Sequence, residues 1–195
     1  MRNALILVDV QNDFCPGGAL AVNAGDEIVP VLNCYIESFR KRGDAIFATR
    51  DWHPAQTRHF VSGGGIWPPH CVQGTRGAAF HPSLDLPGET ILVSKGMSPD
   101  SDSYSGFDAA TDGGTKLGEA LRAAGVERVF IAGLATDYCV KHTVLDALRE
   151  GFSVTVLADA IRGVDLHPDD SKRAIQEMVD AGAEFAGPGL GGKLL

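Results

Sequence analysis

The fold is decided by residues 128–160, RVFIAGLATDYCVKHTVLDALREGFSVTVLADA. Two short apolar runs, 128–132 and 153–157, flank a stretch that is predicted to form a helix from Asp137 to about Glu150. Short apolar runs of this kind are typical of parallel strands that are buried on both faces. The segment therefore predicts a strand–helix–strand unit, with Asp137 as the cap of its helix.

The same alternation continues along the chain. Further strands are predicted at 4–8, 45–49 and 90–94, with a short edge strand at 183–185. Further helices are predicted from Asp26 to Arg42, from Lys116 to Ala124, and from Asp169 or Asp170 to Ala181. Strands that alternate with helices indicate an α/β fold. We expect a single-domain, doubly wound, mostly parallel sheet of about six strands, with helices on both faces.

Composition narrows the function classes. The 195 residues are 44% hydrophobic and 22% charged, which is typical of a globular protein, and we expect residues 1–195 to form one domain. The net charge of −8, with no basic cluster, argues against a nucleic-acid partner, because phosphate binding needs Lys and Arg. No apolar run approaches the ~20 residues of a membrane span, and no signal-peptide cleavage site is evident. We therefore expect a cytoplasmic protein without a membrane partner.

Residues 52–89 interrupt the alternation with an irregular region rich in Pro, Gly, His and Trp. A long irregular segment inside a compact domain is usually functional. Asp51 and His53 stand two residues apart at a strand end, so that their side chains point the same way, and His70 follows two prolines. This mixed oxygen and nitrogen set suits Zn²⁺, Fe²⁺ or Mn²⁺. Loop histidines are also common surface residues, which is the preferred interpretation for His81.

Reactive side chains follow several predicted strands, and in open α/β sheets ligands bind beyond the carboxyl ends of the strands. Asp9, Lys95 and Cys139 lie at such positions. A cysteine after a tight turn, at the start of a predicted helix, suits a nucleophile with backbone N–H groups nearby, although many cysteines are only small core residues. If the three share a cleft, Lys95 lowers the pKa of the thiol and Asp9 accepts its proton. Otherwise Lys95 is a solvated charge and Asp9 a turn former.

Seven segments together identify a family resemblance. They are LVDVQNDF at 7–14, TRDWH at 49–53, WPPHCV at 67–72, GAAFHP at 77–82, KG at 95–96, YSGF at 104–107 and GLATDYCV at 133–140. With these segments the chain resembles the nicotinamidases and pyrazinamidases of the isochorismatase-like cysteine hydrolases, nearly from end to end. The first and last segments alone would indicate only the wider superfamily.

The resemblance implies a role for each matching residue. It places a catalytic triad on Asp9, Lys95 and Cys139, and an oxyanion hole on the backbone N–H groups of Ala135 and Cys139. It places metal ligands on Asp51, His53 and His70 and, as a further histidine, on His59. The aromatic residues that stack on the substrate ring correspond to Phe14 and Trp67. It also implies a cis peptide bond before Ala135. Tyr138 departs from the family pattern, because relatives often have His at this position.

The implied reaction is hydrolysis of nicotinamide to nicotinate and ammonia through a thioester, as part of NAD salvage, with pyrazinamide also accepted. The resemblance implies one divalent metal ion, Zn or Fe before Mn, that holds the ring nitrogen and so orients the amide, which is catalysis by proximity. The partner is the small-molecule substrate, and a homo-oligomer is compatible with the sequence.

Three alternatives stand beside this hypothesis. A metal-free hydrolase of the same superfamily, acting on isochorismate or an N-carbamoyl compound, would have no use for Asp51, His53 and His70 together, and metal analysis would separate the two. A catalytically silent metal-binding or scaffold protein is conceivable because fold does not fix function, but it would not need Asp9, Lys95 and Cys139 together. A dinucleotide-binding module would need a glycine-rich turn after the first strand, which is absent from residues 9–14.

Overall fold

Six parallel strands form one sheet in the computed structural model, which describes residues 2–100 and 102–187. The strands are β1 (Arg2–Val8), β2 (Ala45–Asp51), β3 (Ile91–Lys95), β4 (Val126–Leu134), β5 (Ser153–Arg162) and β6 (Glu184–Ala186). Their order across the sheet is β3-β2-β1-β4-β5-β6, and each neighbouring pair is parallel. The predicted α/β class and six-stranded parallel sheet are confirmed. A single domain over 1–195 stays a prediction, since residues 188–195 lie outside the described part.

Helices cover both faces of the sheet, as predicted. They are α1 (Ile28–Arg42), α2 (Leu117–Ala123), α3 (Lys141–Arg149) and α4 (Asp170–Asp180). Residues of β1 alternate between two cores, because successive side chains of a strand point to opposite faces. Ala4, Ile6 and Val8 pack with α2, α3 and α4, while Leu5 and Leu7 pack with α1. The central strand is buried on both sides.

Helix α1 shows how an apolar stripe determines packing. Ile28, Leu32, Ile36 and Phe39 recur every three to four residues and are almost completely buried. Burial of each such side chain stabilises the fold by about 1.5–3 kcal/mol relative to exposure. The helix ends at Gly43, whose φ of 72° lies in the left-handed region that glycine adopts without strain.

Strand β5 extends further than its apolar run predicts. The predicted strand stops at Leu157, whereas β5 continues to Arg162. After an irregularity in the register, pairing with β4 resumes between Gly133 and Ile161. A bulge of this kind lets a strand continue past polar residues that would end its apolar pattern.

The predicted cap at Asp137 is wrong. Its carboxylate accepts hydrogen bonds from the backbone N–H groups of Val164 and Asp165, at 2.9 and 2.8 Å. A single π-helical turn, Thr136–Val140, precedes α3 instead of a capped α-helical start. The Asp137 side chain therefore ties this turn to the segment that follows β5.

The strand order puts the carboxyl ends of β1 and β4 side by side at the centre of the sheet. From β1 the chain proceeds outward through β2 to β3, and from β4 it proceeds in the opposite direction. A reversal of this kind opens a crevice in which α/β proteins bind ligands. The irregular region between β2 and β3 borders this crevice, through bridges that join Gln11 to Phe80 and His53 to Val72. In the part of the chain that the structure describes, no helix is long and apolar enough to cross a membrane.

Candidate active site

The side chains of Asp9, Lys95 and Cys139 meet in the crevice at the ends of three elements. Lys95 is the last residue of β3, Asp9 follows β1, and Cys139 lies in the π turn after β4. Lys95 Nζ is 2.9 Å from Asp9 Oδ2 and 3.4 Å from Cys139 Sγ. All three residues are buried. The structure therefore brings together the three residues that the sequence analysis expected to share a cleft.

Asp9 is held in place by its neighbours on β2. It adopts a positive φ of 49°, and the Thr49 hydroxyl donates a 2.6 Å hydrogen bond to Asp9 Oδ1. Burial raises the pKa of Asp9 above its usual value, and the attraction of Lys95 offsets this only in part. A carboxylate with a raised pKa accepts a proton more readily, which suits a general base.

Cys139 is a buried thiol beside a cation. Burial raises the pKa of Cys139 well above its usual value, while the neighbouring Lys95 ammonium acts in the opposite direction. Cys139 lies in the π turn Thr136–Val140, which leads directly into α3. Asp9 and Lys95 are the neighbouring groups that could serve as proton acceptor and counter-charge for this thiol. The Thr143 hydroxyl donates to the carbonyl of Cys139 at 2.6 Å and fixes the turn from below.

Lys95 also contacts Asp51, the last residue of β2, through a short hydrogen bond. Burial alone would lower the pKa of Lys95, but the carboxylates of Asp51 and Asp9 raise it well above its usual value. Burial opposes ionisation of Asp51 as well, yet the Lys95 ammonium and His53 hold the pKa of that carboxyl below its usual range. Lys95 and Asp51 therefore form a buried ion pair.

Three histidines form a cluster beside Asp51. Ring nitrogens of His53, His59 and His70 all lie within 4.8 Å of one another. Asp51 Oδ2 is 3.5 Å from His53 Nε2 and 3.8 Å from His70 Nε2. The structure thus gathers all four metal ligands that the sequence resemblance implied.

The cluster fits a divalent metal ion. His53 Nε2 is completely buried and has no hydrogen-bond partner in the described structure, which costs free energy unless a metal ion or another polar group contacts this nitrogen. Burial lowers the pKa of His70 to about 4 and also lowers that of His59. Both rings are therefore neutral at pH 7, which is the form that binds metals. One carboxylate and three imidazoles suit Zn²⁺, Fe²⁺ or Mn²⁺.

Gln11 and Asp13 are positioning residues that the sequence analysis did not identify. The Gln11 side chain accepts from the backbone N–H of Asp51 and donates to its carbonyl, both at 2.8 Å. The Asp13 carboxylate accepts from the N–H of Cys71 at 2.7 Å and so fixes the residue after His70. Both belong to the segment after β1, and this proximity to Asp9 is the signal that points to them.

An aromatic cavity opens onto both groups of residues. It encloses about 410 Å³ of space not filled by atoms, including solvent at its mouth. Its walls include Phe14 and Trp67, as expected from the resemblance, together with Ala135 and Cys139. The expected cis peptide bond is present between Leu134 and Ala135. The remaining lining residues are Leu20, Asp51, His59, His70, Ser103, Tyr104, Tyr138 and Val164.

Tyr104 and Tyr138 complete the aromatic wall. Trp67 Nε1–H donates to the Tyr104 hydroxyl at 3.0 Å, and the rings of Trp67 and Tyr138 meet edge to face with centroids 5.1 Å apart. Edge contacts and a bonded indole hold the Trp67 ring in a fixed plane. A flat, uncharged ring is the ligand shape that such walls favour.

Comparison with known proteins agrees with this geometry. The isochorismatase domain family matches residues 3–187. The chain is 45% identical to a nicotinamidase of Escherichia coli, over 92% of each chain. It is 42% identical to a nicotinamidase/pyrazinamidase of Mycobacterium tuberculosis, over 93% of this chain and 97% of the relative. A pyrazinamidase of Pyrococcus horikoshii, solved in complex with zinc, superposes with a TM-score of 0.89 and 48% identity, over 96% and 99% of the two chains.

Proposed function

Because this chain belongs to the isochorismatase family, we propose that its buried thiol hydrolyses nicotinamide to nicotinate and ammonia. One observation carries the proposal: Cys139 of the first cluster and His59 and His70 of the histidine cluster line the same aromatic cavity. A metal-free hydrolase would need the first cluster but not the second. The family resemblance and the similar nicotinamidases support the same substrate.

The proposed reaction has two halves. Asp9 takes the proton of the Cys139 thiol, and the thiolate attacks the carboxamide carbon while Lys95 stabilises the negative charge. The backbone N–H groups of Ala135 and Cys139 bind the oxyanion. The C–N bond then breaks, Asp9 returns the proton to the departing ammonia, and a thioester remains.

Water completes the cycle. Asp9, again a carboxylate, takes a proton from a water molecule that attacks the thioester carbon. The C–S bond breaks, the Cys139 sulfur regains a proton from Asp9, and the acid product leaves as nicotinate after releasing its own proton to the solvent. Burial of Asp9, which raises its pKa, favours the uptake of the proton from water.

Asp51, His53, His59 and His70 are proposed to hold a divalent metal ion. Coordination of the substrate ring nitrogen is the chemistry that such a metal supplies when bound. Zinc is the first choice because the similar pyrazinamidase contains it, and Fe²⁺ and Mn²⁺ also suit this donor set. Phe14 and Trp67 then stack on the ring and hold the carboxamide over Cys139. Pyrazinamide, with a ring nitrogen in the same place, is proposed as a second substrate.

The free cysteines and the net charge bear on where the reaction takes place and on its partners. The four cysteines are free, which supports a reducing, cytoplasmic environment and a role in NAD salvage. The net charge of −8 disfavours a nucleic-acid partner. A homo-oligomer is compatible with the chain.

Ammonia release tests the proposal. Purified, zinc-loaded protein is mixed with nicotinamide, and ammonia and nicotinate are measured; no release would refute the reaction. Cys139→Ala is expected to abolish turnover while the metal content stays equal to that of the parent. Cys34→Ala, which removes an exposed thiol on α1, serves as the matched control and should retain full activity. Activity in Cys139→Ala would instead indicate a metal-bound hydroxide as nucleophile.

A further inference from the structure

We propose that Asp102 is a positioning residue that orients His59 for metal binding and so sets the affinity of the site. The inference rests on the metal-dependent function proposed above. It starts from the hydrogen bonds of the three clustered histidines. His53 Nδ1 is 3.0 Å from the carbonyl of Gly96, and His70 Nδ1 is 2.8 Å from the carbonyl of Pro68.

His59 differs from the other two histidines in its partner. Its Nδ1 is 2.5 Å from Asp102 Oδ1, a carboxylate rather than a backbone carbonyl. In each ring the acceptor holds the proton on Nδ1 and leaves the lone pair of Nε2 for a metal. A carboxylate acceptor also makes the imidazole a stronger donor to the metal. Among the three, His59 is therefore the ligand whose orientation depends on a single side chain.

The local packing makes this hydrogen bond decisive. The His59 ring stacks on that of His53, with centroids 4.6 Å apart and planes 19° apart. Stacking fixes the plane of the ring but not which nitrogen faces the cluster, because a half-turn of the ring keeps the same plane. The bond to Asp102 selects the orientation. The Asp102 side chain is 59% exposed whereas that of His59 is 4% exposed, so removal of the carboxylate leaves no buried cavity.

Asp102 also begins a segment that contacts the rest of the site. The carbonyl of Ser103 accepts from Lys95 Nζ at 3.3 Å, and the Tyr104 hydroxyl accepts from Trp67. On the other side, the backbone N–H of Arg58 donates to the carbonyl of Pro99 at 2.9 Å. These contacts connect the proposed metal ligand His59, through the segment that begins at Asp102, to the aromatic wall that contains Tyr104 and Trp67. Loss of the bond should therefore affect substrate binding as well as metal binding.

Metal affinity gives a direct test. Apparent Zn²⁺ affinity is measured by chelator competition on the full chain, for the parent and for Asp102→Ala, Asp102→Asn and Asp102→Glu. Asp102→Ala should bind zinc about 10–100-fold more weakly, which is the usual effect of losing a hydrogen-bond partner of a metal-bound histidine. Asp102→Asn, which keeps a neutral acceptor, should fall between, and Asp102→Glu should recover most of the affinity.

Asp100→Ala is the matched control, since Asp100 lies on the same loop but pairs with exposed Arg58, at 3.6 Å, rather than with a histidine of the cluster. It should bind zinc as the parent does. Co²⁺-loaded protein adds a spectroscopic readout, because the d–d bands should change in Asp102→Ala and not in Asp100→Ala. Thermal unfolding of the metal-free variants checks that each is folded.

The proposal is overturned if Asp102→Ala binds zinc within about threefold of the parent, where an effect of at least tenfold is expected. It is also overturned if Asp100→Ala weakens binding equally, which would indicate the charge of the loop rather than one hydrogen bond. Failure of the proposed reaction is distinguishable: a parent that binds zinc but releases no ammonia from nicotinamide refutes the substrate and leaves the affinity comparison intact. A parent that binds no zinc, iron or manganese overturns both.

Discussion

Lys95 and Asp51 occupy paired positions at the ends of β3 and β2, and their side chains form an ion pair. Through this pair one ammonium group contacts both the proposed catalytic residues and the proposed metal ligands. Its other partners are Asp9 Oδ2 at 2.9 Å, the carbonyl of Ser103 at 3.3 Å and Cys139 Sγ at 3.4 Å. One buried cation thus connects the proposed catalytic residues to the proposed metal ligands, and the register between β2 and β3 determines its position.

Lys95→Met should remove both activity and stability. The substitution leaves the buried carboxylates of Asp9 and Asp51 without their shared counter-charge, which typically costs about 3–5 kcal/mol of the free energy of unfolding. Turnover should fall by at least about 100-fold because the thiolate loses its stabilising charge. Urea denaturation and ammonia release measure the two effects.

The matched control for that experiment is Lys41→Met. Lys41 also pairs with a carboxylate, Glu37, at 2.6 Å, but both side chains are largely exposed. Its loss should change the free energy of unfolding by less than about 0.5 kcal/mol and leave turnover unaltered. Equal destabilisation by the two substitutions would contradict the view that burial makes the Lys95 contacts decisive.

Asp51→Ala should release the metal and weaken substrate binding. The variant loses the one carboxylate of the proposed ligand set, and we expect a strong rise in KM for nicotinamide together with a reduced metal content. Metal analysis after dialysis and steady-state kinetics provide the measurements. Asp85→Ala, in an exposed part of the same irregular region, is the control. Unchanged metal content in Asp51→Ala would show that the ligand assignment is wrong.

The metal-free protein should lose stability as the pH falls below about 6.5. Burial lowers the pKa of His70 to about 4 in the folded chain, while the unfolded chain keeps the ordinary value of 6.5. Between these values the unfolded state binds the proton and the folded state does not, so acid favours unfolding. His70 alone should cost about 2 kcal/mol between neutral pH and about pH 5. Above the unfolded value this contribution is fully present.

Urea denaturation of metal-free protein at several pH values measures this dependence. His70→Asn isolates the contribution of the ring, because the carboxylates that titrate at lower pH are common to both proteins. Its free energy of unfolding should vary less between pH 7 and 5 than that of the parent. Parallel curves for the two proteins would rule out His70 as the source.

Thiol labelling should separate the cysteines by burial. Iodoacetamide at about pH 7.5 should modify exposed Cys34 first, and Cys15 and Cys71 only after unfolding. Burial raises the pKa of Cys15 to about 11, with a further contribution from Asp26. At any pH below that value, the fraction of Cys15 present as the reactive thiolate should rise about tenfold for each unit by which the pH is increased. Peptide mass spectrometry assigns the labels, and Cys34→Ser should lack the fast phase. Rapid native labelling of Cys15 would contradict its burial.

The sequence predicts the sheet well because each buried strand carries its own local signal. Apolar runs mark five of the six strands to within a few residues, and the ends of β2 and β3 correctly place Asp51 and Lys95. The end of β5 is missed, because its last residues are held by renewed pairing with β4 and not by their own apolar pattern. The role of Asp137 is missed for a similar reason: the backbone N–H groups that donate to its carboxylate lie 27 and 28 residues away.

The supporting residues of the site escape prediction because their contacts are long-range. Gln11 and Thr49 each act on a residue 40 positions away, across neighbouring strands. Asp102 lies in an irregular segment and bonds His59, 43 positions earlier. Neither the hydrophobic periodicity of the sequence nor the spacing of its polar residues predicts such pairs. Residues that follow a strand directly are predictable, whereas those that fix them become visible only once the strands are assembled.

The central position of β1 and β4 has a consequence for the dynamics of the protein. Asp9 and Ala135 follow β1 and β4, the two strands at the centre of the sheet, and the alternate side chains of β1 fill both cores. Backbone amides of such strands exchange with solvent only when the whole domain opens. The proposed nucleophile and its proposed base therefore follow the strands expected to exchange most slowly, whereas the clustered histidines lie in or next to irregular segments that can open separately. Local opening should therefore disrupt the arrangement of the proposed metal ligands at a lower free energy than that of the proposed catalytic residues.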